Sequence, residues 1–183
     1  GTAGVYSLDR MRYGFTMNSG RLTITQSTDT PNGFANSLKV DITTAESSLN
    51  SASGAAIGQF IEGQDVQQFK KGTSDAERYT LSFHVKSNIT GTYIVELFDQ
   101  DNTRQVSKSY TIDSANTWEK KTLTFPADTT GAFDDDNATS LIIQWFLASG
   151  TNTAGSSATL NTSWASSTDA NRAVGQANLF SST

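Results

Sequence analysis

In Thr80-Leu81-Ser82-Phe83-His84-Val85-Lys86, apolar Leu81, Phe83 and Val85 alternate strictly with polar neighbours. A period of two sends one set of side chains into a core and the other into water, which suits a strand of a layered β fold and not an amphipathic helix. The same pattern recurs along the chain. Residues 92–98 form a second run, and the tight turn at residues 88–91 predicts a hairpin between the two. The polar stretch Asp99-Gln100-Asp101-Asn102 leads into a third run at 105–112. A fourth begins at Trp118, carries Leu123 and Phe125 on one face, and stops at Pro126, which has no N–H for a ladder. Residues 21–26 and 37–42 alternate clearly, and 57–61 is a further strand, ended or bulged at Gly63. Residues 141–147 are apolar on both faces, so this run is either a central strand or part of a subunit interface.

The predicted core comprises Leu81, Phe83, Val85, Val95, Leu97, Trp118, Leu123, Phe125 and Trp145. The helical candidates, residues 63–69 and 168–174, are too short for a helical layer. Residues 50–56 and 150–159 are Ser/Ala/Gly/Thr-rich without alternation and predict surface loops. Many short strands separated by polar turns specify an all-β, antiparallel β-sandwich. With 183 residues and 36% hydrophobic content, the chain suits a single domain spanning 1–183.

Composition excludes several classes of function. Without cysteine there is no disulfide framework and no thiolate metal site. A net charge of −5 opposes broad capture of nucleic acid or an anionic membrane. The run from Leu141 to Ala148 is too short for a membrane-inserted helix. Catalytic signatures are missing as well: His84 is the one histidine, and there is no nucleophile elbow, zinc-protease motif or P-loop. Glu62, Glu96 and Asp99 are nominal carboxylates for glycoside hydrolysis, but nothing in the sequence sets their separation. The expectation is a protein that is not an enzyme.

Two kinds of site remain. Asp134-Asp135-Asp136-Asn137 concentrates hard oxygen ligands, and Asp134, Asp136 and Asn137 are the candidate ligands of a structural Ca²⁺; ordinary solvated turns have the same composition. For glycan contact, the strand-borne polar side chains His84, Glu96 and Gln144 are the candidates. Sugar rings stack on exposed aromatic faces, yet Trp118 and Trp145 read as core. Trp164, Tyr6, Tyr13 and Phe180 lie in segments without an assigned orientation. Sequons begin at Asn88, Asn137 and Asn161, as a chain rich in Ser and Thr produces by chance.

Several stretches carry a resemblance. They are Arg78-Tyr79-Thr80-Leu81-Ser82-Phe83-His84-Val85-Lys86-Ser87, Gly91-Thr92-Tyr93, and Asn116-Thr117-Trp118-Glu119-Lys120-Lys121-Thr122-Leu123-Thr124-Phe125-Pro126. Shorter matches are Ser7-Leu8-Asp9-Arg10, Asn36-Ser37-Leu38-Lys39-Val40, Ile61-Glu62-Gly63-Gln64 and Asp135-Asp136-Asn137. Together they resemble a family of tailed-phage virion proteins, of tail-fibre or appendage type, with jelly rolls like those of carbohydrate-binding modules. The resemblance implies a structural or adhesive virion component located on the particle or outside the cell. Its expected partners are other virion proteins, copies of itself (a trimer, as phage fibres usually are) and host surface polysaccharide. The alternative is an accessory carbohydrate-binding module of a secreted glycan-active enzyme. Members of the family usually carry an aromatic residue where this chain has His84. They also tend to carry an Ile-Asn-Gly strand before the Asp-Arg segment and a closing strand after the region matching residues 178–183. The resemblance therefore implies a piece of a longer protein with open strand edges.

Overall fold

A computed structural model describes residues 10–183 in full and residues 6–8 by their backbone. Asp9, part of the Ser7–Arg10 match, lies outside the described residues. In chain order the strands are β1 (Tyr6–Leu8), β2 (Met11–Thr16), β3 (Arg21–Ser27), β4 (Ser37–Thr44), β5 (Gly54–Glu62), β6 (Tyr79–Val85), β7 (Gly91–Asp99), β8 (Arg104–Ile112), β9 (Glu119–Phe125), β10 (Thr139–Ser149) and β11 (Ala165–Ser166). The described helical residues are confined to 3-10 turns at Gly63–Asp65, Gln67–Phe69 and Leu179–Ser181. The helix expected at 168–174 is absent.

Seven strands form one sheet in the order β1-β2-β5-β10-β7-β8-β11, and two ribbons, β3-β4 and β6-β9, form the opposing layer. Every pairing is antiparallel. The chain crosses between layers after β2, β4, β5, β6, β8 and β9, which makes this an antiparallel sandwich of jelly-roll type. One expectation fails here. β6 and β7 are not a hairpin: β6 pairs with β9, and β7 with β8 and β10. A five-residue connection, 86–90, joins strands of opposite layers as readily as neighbours in one sheet. The segment read as a loop at 50–56 also contributes its last three residues to β5.

The core lies between the layers. Tyr93, Val95, Leu97, Val106, Tyr110 and Ile112 of β7 and β8 meet Leu81, Phe83, Val85, Leu123 and Phe125 of the β6-β9 ribbon. The Phe83 ring stands edge-on to Tyr110 at 5.1 Å and to Trp145 at 5.8 Å. A second cluster, with Ala55, Ala148 and Phe180 at its centre, receives Leu22 and Ile42 from the β3-β4 ribbon. Strand β10 is central, between β5 and β7, and its outward-facing Ile142 and Phe146 are buried by the chain's own residues. Of the two readings of residues 141–147, the central strand is the one the fold realises. Trp118 is the misplaced member of the predicted core: it precedes β9, is half-buried, and donates from Nε1 to Asp29 Oδ1 at 2.9 Å.

Two buried polar assemblies tie loops to this frame. Lys71 Nζ sits 2.6 Å from Asp99 Oδ2 and 3.1 Å from Asp128 Oδ2, and donates to the carbonyls of Thr130 and Gly131 at 2.9 and 2.7 Å. Arg104 completes the group with two bonds to Asp128, at 2.8 and 3.0 Å. Burial would raise the Asp128 carboxyl, but hydrogen bonds from Arg104 and Lys71 win and hold it below the usual carboxylate range. On the outer face of the large sheet, residues 150–177 pass across β7 and β10. Arg172 grips Glu96 with contacts of 2.6 and 3.0 Å, and Gln176 accepts from the Ile94 N–H and donates to the Phe146 carbonyl.

Candidate functional site

Among the described residues, seven strands in one layer are faced by only four in the other, and these four leave part of the inner face uncovered. The result is an open groove of about 760 Å³. One wall is residues 37–42 of β4, and the other is residues 82–88 at the end of β6. Ile57, Tyr93, Tyr110, Trp145 and Leu147 form the floor. Alternation placed Leu38, Val40, Phe83 and Val85 on inward faces, and they remain half-buried because the groove opens beside them.

The β3-β4 turn closes one end. Asp29 in this turn accepts from Lys86 Nζ at 2.6 Å and from Trp118 Nε1 at 2.9 Å, so it fastens the first ribbon to the second. These two donors, Lys86 foremost, hold the Asp29 carboxyl below its ordinary range. Five residues on, Phe34 meets the His84 ring edge-on at 5.2 Å and is 54% exposed. Asn88 and Asn116 line the same end. Three rings and a set of side-chain donors and acceptors therefore border one opening, the mixture a sugar needs: apolar C–H faces on aromatics, hydroxyls on polar groups. Leu179, Ser182 and Thr183 contribute to the lining as well.

The three glycan candidates do not come together. His84 belongs to this end of the groove. Glu96 and Gln144 are cross-strand neighbours on the opposite face of the large sheet, where Arg172 covers Glu96. Glu96 is fully buried; burial pushes its carboxyl up while Arg172 pulls it down, and burial prevails. The residues that sequence reasoning missed are Phe34, Asp29 and Lys86. Phe34 carried a usable signal: an aromatic inside the polar turn Pro31-Asn32-Gly33-Phe34, with no strand to bury it.

In the acidic loop, carbonyls and carboxylates serve as turn acceptors. The Asp134 N–H donates to Asp101 Oδ2 at 3.0 Å, and Asp136 Oδ1 accepts from the Ala138 N–H at 2.9 Å. Gln67 Nε2 reaches the Asp134 carbonyl at 3.1 Å. Among the described residues, no three His, Asp or Glu side chains converge on a point where a metal ion could sit. Nor is any helix among them long and apolar enough to cross a membrane.

No protein-family model matches the chain, and no curated protein sequence matches it. Among solved structures, the enzymatically active domain of tailspike protein 4 from bacteriophage CBA120 superposes with a TM-score of 0.50 at 19% identity, over 77% of this chain and 17% of that one. A CBM22-1–GH10 structure of endo-1,4-beta-D-xylanase 10B from Clostridium thermocellum, solved with xylohexaose, aligns over 82% of this chain and 28% of that one. Its 15% identity and TM-score of 0.39 are too remote to bear on the fold. The chain spans less than a third of either neighbour. What it shares with the tailspike is the fold: an antiparallel β-sandwich that also occurs within a phage tail protein.

Proposed function

We propose that this chain is a non-catalytic structural and adhesion module of phage-tail appendage type, which contacts host surface glycan through the closed end of its groove. The observation that carries the reading is the exposed Phe34 ring beside His84 and Trp118, with Asp29, Lys86, Asn88 and Asn116 around them. The fold shared with part of a phage tailspike supports the virion setting. In this reading Asp29 is a positioning residue. It holds the indole edge and the β3-β4 turn in place, so that the rings present a fixed surface and binding costs little ordering entropy.

The test is retention of the 183-residue chain on an array of bacterial surface polysaccharides, with xylohexaose included, and a parallel assay for released reducing ends. The expected result is retention by at least one polysaccharide, weakened about tenfold by Phe34→Ala, which corresponds to roughly 1.4 kcal/mol of lost stacking. No reducing ends should appear. Equal retention of Phe34→Ala and wild type would remove the site from consideration. Sugar release would turn the reading into a depolymerase.

A further inference from the structure

The body of the groove has a chemistry different from that of its aromatic end. Within their sheets, β4 has β3 as its hydrogen-bonded neighbour and β6 has β9. The groove is lined by residues 37–42 of β4 and 82–85 of β6, by Ser27 alone of β3, and by no residue of β9. It therefore lies on the sides of β4 and β6 that face away from their partners, where no described residue forms a ladder with the backbone N–H and C=O groups. An edge of this kind is a template for another strand. The floor beneath it is apolar, and two of its three rings offer no free face for a sugar: Tyr93 and Tyr110 are 2% and 8% exposed and stack on each other at 5.9 Å. Unpaired backbone at the wall and apolar side chains at the floor match an extended polypeptide. Its amides would complete the ladder while every second side chain settles on the floor.

We propose that this groove is a strand-acceptor site, in which an extended segment donated by another polypeptide adds to the free edge of β6. A segment of about six residues spans roughly 20 Å, the length of a typical strand. Its chemistry is alternation, with small β-branched apolar side chains pointing to Trp145, Ile57 and Leu147 and polar ones pointing to solvent. The partner is a protein strand, so this inference goes beyond the glycan reading and fails separately from it.

The probe is the peptide acetyl-Lys-Thr-Val-Thr-Val-Thr-Val-Lys-amide, and its control is the same peptide N-methylated on alternate residues, which keeps the side chains and removes ladder donors. The readout is amide hydrogen exchange of the full 183-residue chain. With the probe at about ten times its Kd, alternate amides of β6 should exchange about tenfold more slowly. The N-methylated peptide should have no such effect, and Phe34→Ala should leave the protection intact. Unchanged exchange throughout β6, or equal protection by the N-methylated peptide, would overturn the proposal. Protection that appears with protein concentration alone would reassign the site to a second copy of this chain. Protection by xylohexaose and not by the peptide would make the groove a sugar site.

Discussion

Replacing Lys71 by methionine isolates the buried ion network from everything else in the fold. The Lys71 and Asp99 side chains are both 0% exposed. Methionine keeps most of the stem, so packing near the Phe133 and Trp164 rings, whose centroids lie 5.2 Å from Nζ, changes little. What is lost is the cation. Among the described residues Asp99 then retains donors from Asn102 alone, the backbone N–H at 3.0 Å and Nδ2 at 3.0 and 3.2 Å, and the carbonyls of Thr130 and Gly131 lose their shared partner. Removing one member of a buried pair costs about 3–5 kcal/mol. For a chain of this size that is roughly 10 °C in Tm. Arg104→Met is the internal comparison. Asp128 would keep Lys71 and the Thr130 N–H, so about 1–3 kcal/mol is expected. Urea denaturation followed by tryptophan fluorescence measures both variants, with Trp164 close to the network as reporter. Adding Asp99→Asn to Lys71→Met should cost at least about 1 kcal/mol less than the sum of the single effects, since the stranded charge disappears. A Lys71→Met variant within about 1 kcal/mol of wild type, or strict additivity in the double variant, would refute the reasoning.

Arg172→Leu should strand the Glu96 carboxylate under residues 150–177 and cost about 3–5 kcal/mol, with faster hydrogen exchange in that segment than in β7 as its signature. Gly63→Ala drives a Cβ into the Asp134 carbonyl, where Gly63 also donates to the Ala138 carbonyl. A loss of about 2–3 kcal/mol by thermal unfolding is expected. In acid, Asp128, Glu46, Glu119 and Asp29 have carboxyls held below their unfolded values, so each adds stability above a pH of about 4 that is lost as pH falls through the lower folded value. Tm should therefore fall as pH drops below the ordinary carboxylate range. Glu96, raised by burial, runs the other way: its contribution is present below its unfolded value and lost as pH rises through the folded one. A flat Tm over the acid range would contradict the assignment.

Strand positions were legible because burial on one face imposes a period of two wherever the chain is extended. Residues 80–86, 92–98 and 105–112 read correctly for that reason. Layer assignment was not legible: the turns after β6 and β7 are both short and polar, yet one crosses the sandwich and the other closes a hairpin. Met11, Tyr13 and Phe15 alternate as well as residues 21–26, but the run is short and interrupted by Gly14, so β2 was not read as a strand. Trp118 was misread because an indole at a strand start looks the same whether it enters the core or reaches sideways to Asp29, 89 positions away. Lys71 meets partners 28 to 60 positions away, and no local pattern announces such a meeting. The groove is still less visible, since it exists only as space between strands placed by the whole fold.

The Arg172 clasp on Glu96 also sets an order of events during synthesis. Glu96 lies on a central strand and its only cationic partner among the described residues is 76 positions downstream. At about 5–20 residues per second, β7 leaves the ribosome roughly 4–15 s before that arginine. From the time β10 joins β7 until that arginine emerges, a native-like sheet would hold an uncompensated carboxylate on one face, with Ile94 and Phe98 beside it uncovered. The outer face cannot settle until synthesis has passed Arg172. A translational pause or a truncation between Gly150 and Arg172 thus yields a sheet that is correctly paired and open on one side, the species for which a chaperone's apolar surface competes best.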